Sequence, residues 1–294
     1  MSGEFKRKDS QFRQSVKKDG STPFKPEAGR YHLYISLACP WASRAYLSRN
    51  LLGLEDSIGL SIVDPTWGKR GWRFTDAPGC IPDTVNGTKD LIDVYRLADP
   101  KFPEDEETVP VLWDKETKTI VNNESRDIIR MFSKEFTELS ETKLDLAPEK
   151  YLQQIDQTID RLYPSVNNGV YRAGFAKTQE AYEKAVRELF SELDYWENHL
   201  TSSAYLVGEQ LTEADLCFFT TLIRFDPVYV GHFKCNLRRI ADYPSLSRYL
   251  KQIYLTPGFR ETVNLDHIKR HYYTSHEDIN PTRIVPIGPE LNLD

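Results

Sequence analysis

The feature that most constrains this chain is a double change of period between residues 29 and 63. In "GRYHLYISLA" the apolar residues Tyr31, Leu33, Ile35 and Leu37 fall at every second position, the alternation of a strand. "PWASRAYLSRNLLGL" then moves to helical spacing. Pro40 suits a first helical position, where a missing N–H leaves no bond unmade; Ala42, Ala45 or Tyr46, and Arg49 continue the period up to Gly53. "SIGLSIV" at 57–63 reads as a strand again. Strand, helix and strand in immediate succession predict a parallel pair joined by a right-handed crossover. Cys39 sits at the junction, as N-cap of the predicted helix.

Residues 64–107 carry the Gly, Pro and charge of irregular backbone and are too long for a simple connection, so they read as a loop-rich insertion. "TVPVLWD" and "KTIVNN" then read as a hairpin and "ESRDIIRMFSKEF" as a helix. The order βαβ followed by ββα is that of a thioredoxin-like domain, spanning 29–136 after an N-terminal extension at 1–28. Polar "TELSETKLDLAP" gives a linker at 137–148. From 149 to 294 the chain reads as an all-helical domain with a C-terminal tail. Ala181, Ala185, Leu189, Leu193, Trp196 and Leu200 form one helix face, and Thr212 with Asp215 form a capping box. The tail, "KRHYYTSHEDINPTRIVPIGPELNLD", reads as aperiodic. The expected class is α/β plus all-α.

Net charge is −6, and the basic runs "KRK" at 6–8 and "LRR" at 237–239 read as solvated faces, so no nucleic-acid partner is expected. No stretch approaches the roughly 18 apolar residues of a membrane span, and "MSGEFKRKDSQFRQ" resembles no targeting segment. The expected location is cytoplasmic. Four cysteines, at 39, 80, 217 and 235, show neither Cys-x-x-Cys nor zinc-like grouping, which fits a reducing compartment. His267 and His271 are four apart but lack the Glu of "HExxH"; they read as a surface helix face, and no metal is expected.

A thiol at a helix N-terminus faces unsatisfied N–H donors and the positive end of the helix dipole, so the sequence predicts a lowered pKa for Cys39 and a nucleophilic thiolate. The plainer role for cysteine is that of a small buried hydrophobe. Alanine at 42 leaves Cys39 without a neighbour able to resolve a mixed disulfide, so an external thiol must do so, glutathione being the natural candidate.

"LACPWASR", "TVPVLWD", "IVNNES" and a helical half containing "LTEAD" resemble a glutathione transferase with cysteine as its active residue. "GW" at 71–72, "NNGVYRAGFAKTQEAYE", "TTLIRFDPVYVGHFKCN" and "IKRHYYTSHEDINPTRIVPIGP" narrow the resemblance to the Xi-class transferases, the glutathionyl-hydroquinone reductases, over residues 30–289 or so. The resemblance implies a glutathione transferase fold, a homodimer, and glutathione and glutathionylated quinols as partners. It implies catalytic roles for Cys39, Tyr171 and Tyr272, with Tyr273 an alternative to Tyr272. Trp72, Val109 (before a cis Pro110), Glu124 and Ser125 are implied to bind glutathione. The family's "CPWAH" has histidine where this chain has Ser43. Two other readings stand beside it: a thioltransferase or dehydroascorbate reductase, which uses Cys39 but does not need the two tyrosines, and a non-enzymatic binding module of the same fold, which does not need Cys39.

Overall fold

The structure, a computed structural model, describes residues 3–293. The double change of period becomes β1 (Tyr31–Ile35), α1 (Pro40–Leu51) and β2 (Ile58–Ile62), with β1 and β2 paired in parallel, Tyr31 opposite Ile58. α1 ends because Gly53 adopts φ of +62°, a left-handed conformation free of Cβ conflict only in glycine, which lets the Leu54 N–H return to the Arg49 carbonyl at 2.9 Å.

The segment expected to be irregular contains a helix, α2 (Leu91–Ala98), which buries Leu91, Ile92, Val94 and Tyr95. Eight residues among glycines and prolines give too short a period to stand out, and tertiary burial decides the conformation. β3 (Val111–Asp114), β4 (Thr119–Asn122) and α3 (Ser125–Lys134) follow. The sheet order is β2-β1-β3-β4, with β3 antiparallel to both neighbours, the thioredoxin-like arrangement.

The second half consists of α4 (Leu152–Leu162), α5 (Gly169–Gly174), α6 (Gln179–His199), α7 (Glu213–Arg224), α8 (Pro244–Tyr254) and α9 (Leu265–Ser275). α6 buries the predicted stripe from Ala181 to Trp196. α7 is buried on every face, as a central helix must be, and packs against α1 of the other half. At its start Asp215 accepts from the Thr212 N–H (2.9 Å) and hydroxyl (3.0 Å), then reaches the Tyr249 hydroxyl of α8 at 2.8 Å. Two π-type turns, Tyr163–Asn167 and Phe225–Tyr229, each contain a proline (Pro164, Pro227), whose missing N–H and bulky ring widen the helical path. The first feeds α5; the second extends α7.

The tail reading needs correction, since Leu265–Ser275 is the helix α9. His267 and His271 are not its solvent face but are 0% and 6% exposed. Their ring nitrogens reach the Pro78 and Pro65 carbonyls at 2.8 and 2.9 Å, pinning α9 to the loop that follows β2. Loop carbonyls without sheet partners need donors, and these imidazoles supply them.

The extension also differs from a solvated arm. Gly3 accepts from the Lys177 N–H at 2.9 Å beside α6, while Arg13 bridges to Asn122 and the Gln14 N–H reaches the Val121 carbonyl at 3.0 Å on the edge of β4. Residues 3–14 therefore strap across the cleft between the halves. "LRR" at 237–239 is exposed as read; within "KRK", Arg7 turns inward.

Candidate active site

β1 delivers the chain to the cleft and α1 carries it away, with Cys39 between them as N-cap in extended geometry (φ −79°, ψ 121°). Its carbonyl accepts the Ser43 N–H and the Ser43 hydroxyl, both at 3.0 Å, fixing the first turn. The thiol makes no capping bond; it donates to the Val109 carbonyl at 3.6 Å. The Val109–Pro110 bond is cis.

The residue as a whole is half-buried, but its sulfur sits deep enough that burial pushes the thiol up. The Ala42 N–H, Arg224, the Trp41 N–H and Arg7 pull the other way and do not prevail. The net direction is opposite to that predicted from the helix terminus. The terminus is there, but enclosure of the sulfur costs the anion more than the first-turn donors return.

Val109, whose carbonyl the thiol reaches, lines a groove of about 370 Å³ that also has Pro110, Glu124, Ser125, Trp41 and the strap among its walls. Glu124 caps α3: one carboxylate oxygen accepts from the Arg126 N–H (3.2 Å), the other from the strap's Ser10 hydroxyl (3.0 Å). Ser125 is the first residue of α3, its hydroxyl facing the buried Arg44 guanidinium at 3.5 Å. Helix N–H groups, a hydroxyl and nearby cations suit a carboxylate, and the Glu124 carboxylate suits an ammonium. The groove end is chemically matched to the α-amino-acid end of a peptide.

On the helical side, Tyr171 of α5 and Tyr272 of α9 share a hydrogen bond of 2.5 Å. Tyr229, absent from the sequence reading, joins Tyr272 at 3.0 Å to make a chain of three phenols. Burial pushes all three up, so each stays protonated and can donate. Tyr171 lies within electrostatic reach of Cys39. Tyr273 points elsewhere, donating to the Pro227 carbonyl at 3.3 Å. The strap's Arg7 stacks its guanidinium over Trp41 and Tyr171, 4.8 and 4.7 Å from the ring centroids, and bonds Asn168 at 3.1 Å.

The structure thus gathers Val109, Glu124 and Ser125 on one groove, joins Cys39 to it through the Val109 carbonyl, and links Tyr272 to Tyr171, which lies within electrostatic reach of the sulfur. Trp72 is not on the groove wall. It is buried, stacked on His271 at 4.5 Å and edge-on to Trp67 at 5.7 Å. Sequence reasoning missed Tyr229, Arg7 and Ser10. Tyr229 lies in an apolar run where a tyrosine signals nothing special, and only "KRK" marked the strap. Among the described residues, no group of three or more histidine, cysteine or acidic side chains gathers as a metal site.

Comparisons with known proteins bear on the family and the fold. Residues 38–135 match the family model "Glutathione S-transferase, N-terminal domain", and residues 179–252 match "Glutathione S-transferase, C-terminal domain". The chain is 48% identical to the glutathionyl-hydroquinone reductase PcpF of Sphingobium chlorophenolicum, over 99% of this chain and 91% of that protein. Among solved structures, a Xi-class transferase from Natrialba magadii superposes with a TM-score of 0.95 at 50% identity, covering 99% of this chain and 91% of the other. The glutathione-bound YqjG of Escherichia coli gives 0.93 at 49% identity, covering 96% and 94%.

Proposed function

The chain belongs to the glutathione S-transferase family, in its Xi class of glutathionyl-hydroquinone reductases, and on that premise we propose that it reduces glutathionyl-hydroquinones to hydroquinones through Cys39. The observation that carries this reading is the Cys39 thiol donating to the carbonyl of Val109, a residue that lines the same groove as Glu124 and Ser125. The tripeptide part of the substrate would pair strand-fashion with Val109 and place its amino-acid end on Ser125 and Glu124. A peptide N–H arriving at the Val109 carbonyl competes with the thiol for that acceptor, which frees the sulfur to turn toward the N–H groups of α1.

The thiolate then attacks the glutathionyl sulfur. A sulfur–sulfur bond forms, the carbon–sulfur bond breaks, and its electron pair stays on the ring carbon, which takes a proton to give the hydroquinone. Tyr171 and Tyr272 are suited to hold the quinol oxygens and supply that proton, because burial keeps them as phenols. Attack by a second glutathione on the mixed disulfide yields oxidised glutathione and restores Cys39. Ala42 cannot do this, so a soluble thiol is obligatory.

The linked tyrosines favour this reaction over simple thiol transfer, which needs only the cysteine and the groove. The same reading carries a homodimer and a cytoplasmic setting; the former is checked by light scattering. The principal test is Cys39→Ser, assayed with a glutathionyl-hydroquinone and, alongside, a glutathionylated small thiol. The reading expects turnover of the quinol to fall by about a thousandfold or more, from a rate that exceeds the thiol exchange rate in the parent. Retained turnover in Cys39→Ser, or a parent active only on the thiol, contradicts it.

A further inference from the structure

Arg224, the last residue of α7, is 2% exposed and belongs to neither the groove nor the tyrosine chain. Its Nε donates to the Ala38 carbonyl at 2.9 Å. Its Nη2 donates to the Leu37 carbonyl at 2.9 Å and to the Ser43 hydroxyl at 2.7 Å, and its Nη1 to the Thr220 carbonyl at 2.8 Å. All four acceptors are neutral. A guanidinium keeps its charge at any working pH, and a buried charge is costly unless it is compensated. Here hydrogen bonding is satisfied but charge is not.

Where those bonds go is informative. Leu37 and Ala38 are the two residues before the nucleophile, and Ser43, which accepts from Arg224, itself donates to the Cys39 carbonyl at 3.0 Å. One side chain from the helical half thus holds both sides of the turn that carries the sulfur. Of the groups acting on that sulfur, the strap contributes Arg7, α5 contributes Tyr171 and α7 contributes Arg224, while α1 offers the Ala42 and Trp41 N–H groups and the cis-proline loop the Val109 carbonyl.

We propose that Arg224 is a positioning residue for Cys39, clamping the Leu37–Ala38 carbonyls so that the sulfur stays at the start of α1 and acting as the buried counter-charge that a thiolate there completes. The thiol state leaves this cation uncompensated, and ionisation of Cys39 supplies the missing negative charge. Ser43 has a defined task in this arrangement. In place of the family's ionisable ring, its hydroxyl relays the hold of Arg224 to the Cys39 carbonyl.

The proposal rests on the reading of Cys39 as nucleophile, and its test measures the sulfur directly. The rate of Cys39 alkylation by iodoacetamide is followed against pH in the full chain, with the modified residue located by mass spectrometry and folding checked by circular dichroism. Arg224→Gln is expected to raise the midpoint by about one pH unit, with the glutathione KM unchanged, and Arg224→Lys to keep it within a few tenths of the parent. A folded Arg224→Gln with the parent midpoint, or Arg224→Lys behaving like Arg224→Gln, overturns the proposal. If Arg224→Gln does not fold, Ser43→Ala decides: a midpoint raised by a few tenths supports the relay, and an unmoved one overturns it. Should Arg224→Gln shift the midpoint while Cys39→Ser retains turnover, the reading of Cys39 as nucleophile fails and the action of Arg224 on the sulfur stands.

Discussion

The sheet half meets the cleft with main-chain atoms, and the helical half meets it with side chains. On the sheet side the Val109 carbonyl and the first N–H groups of α1 and α3 do most of the facing; their directions are set by a cis bond and two helix starts. On the helical side stand the linked hydroxyls of Tyr171, Tyr229 and Tyr272, while Arg224 reaches past the cleft to the turn before Cys39. A surface made of backbone survives substitution of its side chains so long as the fold holds, whereas one made of hydroxyls fails atom by atom. Under the proposed reaction, the groups that would recognise the peptide common to many substrates are on the first kind, and those that would act on the changing portion are on the second.

Three substitutions probe that contrast. The largest effect is expected on the helical side. Tyr171→Phe removes one hydroxyl from the phenol chain and should lower kcat on a glutathionyl-hydroquinone by about 10² to 10³, with the glutathione KM within about twofold. Steady-state kinetics with both substrates varied gives the split; a rise in KM at constant kcat would move Tyr171 to the peptide-binding side. Next comes Ser125→Ala, one of the few side chains the sheet half does commit. Loss of a charge-assisted hydrogen bond to a carboxylate should raise the glutathione KM about tenfold with kcat little changed, and isothermal titration would show the same loss in affinity. Smallest is Val109→Ala. The contact offered is the carbonyl, so affinity should change by less than about threefold, although lost burial should cost about 1–3 kcal/mol of stability in urea unfolding. A large loss of affinity with an intact fold would show that the side chain, not the backbone, makes the site.

The same division explains what could be read from the sequence. The β1–Cys39–α1 junction was legible because each of its determinants is local: alternation in Tyr31–Ile35, Pro40 at the first helical position, Gly53 at the stop. α2 was not, because eight residues give barely two turns of period. α9 was hidden by His267 and His271, polar residues at helical spacing that look solvated until the loop carbonyls they satisfy are seen. The strap was hidden for another reason. Its contacts, such as Ser10 with Glu124 and Arg7 with Asn168, join residues more than a hundred positions apart, and no local pattern announces them. The sign of the Cys39 shift went the same way. Helix-terminus donors are visible in a motif, while the density around a sulfur exists only after both halves close on it.

One measurement addresses the central claim, that a single sulfur at the start of α1 takes glutathione from the substrate and waits for a second thiol. The reduced protein, freed of glutathione, is mixed with an excess of glutathionyl-hydroquinone, and released hydroquinone is counted while the intact mass of the chain is followed. The account predicts one hydroquinone per chain, one glutathione attached at Cys39 by a reducible bond, and no further product until glutathione is added. Continued turnover without added thiol, or product release with Cys39 unmodified, would contradict it.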